Sequence, residues 1–105
     1  MIPRAVLLIS VVLLASCAQA QDGRGLVDQG RAVFRDQGCY GCHIAEGMGT
    51  PIGTDLSRIG AKRNETDLTR WLRDPSTHRP SAHMPKLQLT EVEIQALAAY
   101  LGSLR

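Results

Sequence analysis

The run Cys39-Tyr40-Gly41-Cys42-His43 limits what this chain can fold into more than any other part of it. Two thiols three residues apart with an imidazole directly after them serve three chemistries: a thiol redox pair, half of a zinc site, or covalent attachment of a c-type haem. A thioredoxin-like pair wants a strand before it and a βαβ setting, whereas the residues before Cys39 read as helix. Zinc wants four ligands, and only His78 and His83 remain as further imidazoles, with no second Cys pair. Haem attachment accounts for the spacing directly. Thiols a turn apart reach the two vinyl groups of one haem, and the adjacent imidazole then lies under the iron.

The chain has 105 residues, room for one small domain. Its start reads as an export signal: Arg4 precedes an apolar run, Ala5 to Ala15, broken only by Ser10. That run is short of the roughly 20 apolar residues that span a bilayer. Ala18-Gln19-Ala20 is an A-x-A cleavage site, and Leu14-Ala15-Ser16-Cys17 resembles a bacterial lipobox in which Cys17 would carry lipid. The sequence therefore divides into a signal, 1–20, and a domain, 21–105. A domain that small gains little from apolar burial alone. With Cys17 removed or lipidated, only Cys39 and Cys42 could pair, and a bridge across so tight a loop constrains little of the unfolded chain. A bound apolar cofactor would supply the missing core.

Helical periodicity runs through the domain. Leu26, Val27, Val33 and Phe34 form a stripe over about 26–37 that stops at Gly38. Leu68, Trp71 and Leu72 share one face of a second helix over 65–73, ended by Asp74-Pro75. Thr90-Glu91-Val92-Glu93 is a capping box, followed by Ile94, Leu97, Leu101 and Leu104 at helical spacing. No segment reads as a strand. The connections 45–55 and 75–85 read as loops, long for a compact domain unless they serve a function such as wrapping a cofactor. The net charge is +2, with basic and acidic residues interleaved, which does not suit a nucleic-acid partner.

Three segments together resemble class I cytochromes c: Gly30-Arg31-Ala32-Val33-Phe34 in the first helix, Cys39-Tyr40-Gly41-Cys42-His43, and Leu97-Ala98-Ala99-Tyr100-Leu101 in the last. The resemblance covers nearly all of 21–105. It implies an all-α, small cytochrome c fold with three main helices and long loops wrapped around one covalently bound haem, the last helix crossing the first at Gly30. It also implies haem attachment at Cys39 and Cys42 and axial ligation of the iron by His43 and by Met84, which precedes Pro85 in the loop before the last helix. His78 and His83 stand as alternative sixth ligands, and Met48 reads as a packing residue. One departure concerns the carbonyl that fixes the ligating imidazole. The family has Gly-Pro where this chain has Gly53-Thr54, so Thr54 or Pro51 would have to supply it. Trp71 reads equally as core or as a haem neighbour, and Arg58, Lys62, Arg63 and Arg79 read as surface, with one or more recruited by the haem propionates.

The function implied is an electron carrier rather than an enzyme, periplasmic, passing single electrons between protein partners of a respiratory or periplasmic chain. Seven Lys or Arg against three acids between Leu56 and Lys86 suggest partners with an acidic docking patch. A haem enzyme or sensor would need an open sixth position, and a thiol-redox or zinc module would lack haem.

Overall fold

The computed structural model describes residues 23–105; the proposed export signal and Cys17 lie outside them. A helix, α1, covers 23–36, followed by a single 3-10 turn, Cys39–Gly41. A two-residue hairpin pairs β1 (Ile44–Ala45) with β2 (Met48–Gly49), antiparallel, Ile44 opposite Gly49. The one-turn helix α2 (Ile59–Lys62), α3 (Glu65–Arg73), the one-turn helix α4 (Pro75–His78) and α5 (Glu91–Ser103) complete the chain. The expected three main helices are α1, α3 and α5.

Local chemistry accounts for the ends of these elements. Gly38 takes φ 77°, a left-handed conformation that ends α1 where a side chain would be strained. Asn64 caps α3 by accepting from the Asp67 amide at 2.9 Å. At α5 the capping box closes in both directions: the Glu93 amide donates to Thr90 Oγ1 at 3.2 Å, and the Thr90 amide donates to Glu93 Oε1 at 3.0 Å.

The core lies where α5 is enclosed by the other helices. Ile94, Leu97 and Leu101 are buried as their spacing predicts, but so are Ala96, Ala98, Ala99 and Tyr100. Helix α5 is covered on nearly all sides because its small residues admit neighbouring backbones. A Cβ on Gly30 of α1 would overlap the Ala96 carbonyl and lie 2.6 Å from the Tyr100 Cβ, so the α1–α5 crossing depends on that glycine. Leu68 and Leu72 of α3 bury against the same helix. Phe34, Leu97 and Tyr100 are essentially inaccessible, each contributing about 1.5–3 kcal/mol by leaving water.

Two expectations for the connections need correction. The segment 45–55 contains the hairpin, not only loop: its turn, Glu46-Gly47, has φ 51° and 76°, the left-handed pair of a two-residue hairpin. The segment 75–85 begins with α4, because Asp74 both ends α3 and caps the next turn, accepting from the Ser76 amide at 3.1 Å while Pro75 occupies the first helical position. Met48, read as packing, is on β2 and 56% exposed.

Candidate functional site

The cysteine segment is anchored from beneath by aromatic rings. Tyr40, between the two cysteines, meets Phe34 of α1 edge-on at 4.8 Å, and Phe34 meets Tyr100 of α5 at 5.7 Å. Its two flanking thiols are free, Cys39 half-buried and Cys42 exposed. Burial pushes the Cys39 thiol above its usual range, opposite to the lowered thiol of a redox-active pair. Among the described residues no three His, Cys, Asp or Glu side chains gather in a metal-binding cluster. His78 and His83 therefore do not complete a zinc site with this pair.

His43 follows the 3-10 turn, its amide donating to the Cys39 carbonyl at 2.9 Å. The chain from Thr50 to Leu56 then wraps around it. Thr50 donates to the His43 carbonyl at 3.3 Å, Gly53 to the Cys42 carbonyl, and Leu56 to the Ile44 carbonyl at 2.8 Å. The His43 Nδ1 lies 2.6 Å from the Thr54 carbonyl oxygen. A carbonyl can only accept, so Nδ1 donates here, and it is the neutral ring with its proton on Nδ1 that offers Nε2 to a metal. Of the two residues expected to supply this carbonyl, Thr54 does so and Pro51 does not. Gly53 makes the approach feasible: a Cβ there would stand 2.8 Å from His43 Cε1 and 3.1 Å from Nδ1. The missing proline of the family pattern is thus replaced by a wrapped backbone.

Met84 is half-buried against the hydrophobic core, while His83 and His78 are exposed. Its sulfur accepts the Trp71 indole N–H at 3.1 Å. Trp71 is half-buried, and its polar edge faces the Met84 loop. The C-terminal end of α3 holds that loop at further points. Arg73 donates twice to Glu91, at 3.1 and 2.7 Å, and Lys86 lies 3.8 Å from Asp74. These pairs are solvated and weak one by one, and both tie the end of α3 to the chain that follows Met84. Arg58, Lys62, Arg63 and Arg79 are exposed and form no ion pair among the described residues.

Sequence reasoning missed Glu46. Its carboxylate accepts from Tyr100 Oη at 2.6 Å and from Arg31 Nε at 2.9 Å, and the Arg31 guanidinium stands 5.2 Å over the Tyr100 ring. The cluster ties the hairpin after His43 to both crossing helices and holds Glu46 in its left-handed conformation. Only the glycine after Glu46 hinted at a turn there. The bonds from Tyr100 and Arg31 hold the Glu46 carboxyl below its usual range. A lowered folded pKa means that the stabilisation is present above the ordinary carboxylate range and lost as pH falls through the folded value. Glu46→Gln is therefore expected to lower the thermal midpoint at neutral pH and to flatten its acid-side decline, as followed by circular dichroism melts between pH 3 and 7.

Taken together, the donors are two free thiols, an imidazole presenting Nε2 and a half-buried thioether, a set that fits a covalently attached haem with two axial ligands. Comparison with known proteins agrees. The family model described as "Cytochrome c" matches residues 27–105. The chain is 35% identical over 89 residues to cytochrome c oxidase subunit 2 of Alkalihalophilus pseudofirmus, covering 76% of this chain and 26% of that protein. It is 33% identical over 96 residues to cytochrome c oxidase subunit 2 of a Bacillus species, covering 73% and 26%. To the Cbb3-type cytochrome c oxidase subunit CcoP of Helicobacter pylori it is 29% identical over 90 residues, covering 76% and 28%. The chain spans about a quarter of the length of the curated relatives it matches. By the extent of the family match, with the helix crossing at Gly30 and the fixed His43 ring, this chain belongs to the cytochrome c family.

Proposed function

We propose that the protein is a single-electron carrier holding one c-type haem through Cys39 and Cys42, with His43 and Met84 as axial ligands, and that it serves protein partners of a respiratory oxidase chain. Family membership implies the haem, which supplies a one-electron ferric/ferrous couple. The observation that carries the assignment is the His43 Nδ1–H donated to Thr54 beside two free thiols. Cys39 and Cys42 would anchor the cofactor by adding their sulfurs across its vinyl groups. Thr54 keeps the His43 ring from turning, and the α3 end keeps Met84 close, so little rearrangement accompanies a change of charge. A ligand on each face would leave no open position for substrate, which supports a carrier rather than an enzyme.

The oxidase names of the relatives suggest where the electron goes, since the relatives carry the matching domain within much longer chains. Arg58, Lys62, Arg63, Arg70 and Arg79 remain outside ion pairs among the described residues and would favour an acidic docking patch on the partner. A potentiometric titration of the purified protein is expected to show a single one-electron couple per chain. Two couples, or none, would reject the assignment.

The export signal at 1–20 would place this domain in the periplasm, diffusing freely after cleavage at Ala20 or tethered through Cys17. Among the described residues no helix is long and apolar enough to cross a membrane. A lipid anchor of more than one chain holds stably, each buried CH₂ contributing about 0.8 kcal/mol. Cys17→Ser is expected to leave the fractionation unchanged if the Ala18-Gln19-Ala20 site is used, the form favoured by the polar and small residues from Ser16 to Ala20. Release from the membrane fraction, with haem still attached, would identify a lipoprotein.

A further inference from the structure

Glu46 is the only non-glycine residue with a positive φ among the described residues, 51° at the tip of the hairpin. A side chain in that conformation costs stability that glycine would not, and strain kept at one position points to something that it secures. What the Glu46 side chain secures is a junction. One carboxylate oxygen, Oε1, accepts both from Tyr100 Oη of α5 at 2.6 Å and from Arg31 Nε of α1 at 2.9 Å. Asp28 holds the same guanidinium at 2.8 Å, and that guanidinium stands over the Tyr100 ring, so the two crossing helices present one joined anchor to the hairpin tip.

A continuous run of contacts leads from the tip to His43. Ala45, next to Glu46, is fully buried and pairs with Met48, and Ile44 pairs with Gly49. A Cβ on Gly49 would overlap the His43 carbonyl, so the returning strand closes directly against the His43 backbone. The Ile44 carbonyl then accepts from the Leu56 amide at 2.8 Å, which ties the hairpin to the wrap whose Thr54 carbonyl lies 2.6 Å from His43 Nδ1. We propose that Glu46 is a positioning residue for the His43 imidazole: by fastening the hairpin tip to α1 and α5, it holds the wrap that keeps the Thr54 carbonyl on Nδ1. The inference rests on the axial role of His43 proposed above. A carbonyl on Nδ1 raises the basicity of a ligating imidazole, and a more basic ligand favours the ferric state. Releasing the tip lets that contact lengthen and shifts the balance toward ferrous iron. A Glu46 that only closed the turn would affect stability and leave the ring where it is.

Two variants of the full haem-loaded chain test this. Glu46→Gly keeps the turn, since glycine takes a positive φ freely, and removes the anchor. Tyr100→Phe keeps the buried ring and its edge contact with Phe34 but removes one of the two bonds. In the reduced protein, prepared with isotope-labelled histidine, the Nδ1–H resonance of His43 reads the hydrogen bond to Thr54. In Glu46→Gly that resonance is expected to move to lower frequency, as a lengthened bond requires, and the ferrous-to-ferric ratio at a fixed potential is expected to rise roughly threefold, about 30 mV at 59 mV per decade. Tyr100→Phe, which leaves Arg31 on the carboxylate, is expected to give smaller shifts of the same sign. Should Glu46→Gly fail to fold, Tyr100→Phe decides alone. A resonance and a ratio that stay at the parent's values in either folded variant, even with a lower melting temperature, overturn the inference and leave His43 ligation standing. A shift of the ratio toward ferric overturns it as well. A parent protein whose His43 resonances carry no haem ring-current shift removes the axial assignment and this inference together.

Discussion

Replacing Cys39 and Cys42 together with alanine is expected to yield a chain that retains no haem after denaturing electrophoresis and shows little cooperative unfolding. The reasoning begins with size. A domain this small rarely draws more than about 3–5 kcal/mol from its apolar core. Here that core gathers around α5, with Phe34, Leu97 and Tyr100 at its centre. The segment from Cys39 to Leu56 touches it through Cys39, Tyr40, Ala45 and Leu56 and through the Glu46 bond to Tyr100. Its backbone bonds around His43 are few, and a bound cofactor would add to them by stabilising only the folded state. Cys42→Ala alone leaves the half-buried Cys39 as a single attachment and should give a holoprotein of reduced yield. Heme staining after denaturation, with circular dichroism melts, separates the cases. A compact, cooperatively melting, haem-free double variant would contradict the expectation.

Met84→Ala should open the sixth position of the iron. The expected consequences are a change from low to high spin, ready uptake of carbon monoxide or cyanide, and a potential lower by roughly 100 mV or more, a modest part of the approximately 0.8 V that axial ligands span. The variant also strands the Trp71 N–H without its acceptor, so some stability is lost as well. Optical spectra and potentiometry read the first effects and thermal melts the second. If spectrum and potential barely change, His83, His78 or another group is the ligand. Their exposure on the loop and on α4 runs against that outcome.

What could be read before the fold was known followed the range of the forces involved. Helix α3 has the predicted bounds, Glu65–Arg73, and α5 starts at its capping box, because caps and stripes are set by neighbours three and four residues apart. The crossing at Gly30 was legible through family resemblance, since no local pattern connects that glycine to Tyr100. Strands of two residues were illegible, as they are too short to alternate. The turn at Glu46 is stabilised by Arg31 and Tyr100, the latter 54 residues away along the chain. Asp74-Pro75 was read as a stop when it is also a start, because the same residues that end one helix cap the next. The full burial of Ala96, Ala98 and Ala99 was hidden for a related reason, since small residues look neutral until neighbouring helices close on them. At the site, the donors were visible as residue types, while Thr54 against His43 and Trp71 against Met84 needed the fold to bring them together.

The central claim, a covalently held haem with His43 and Met84 on its two faces, is tested most directly by the absorption spectrum of the purified protein, oxidised and then reduced. The account predicts low-spin c-type bands in the reduced form and a methionine-to-iron charge-transfer band in the oxidised form, with the haem remaining on the chain after denaturation. A high-spin spectrum, or a correctly folded protein with no haem, would contradict it.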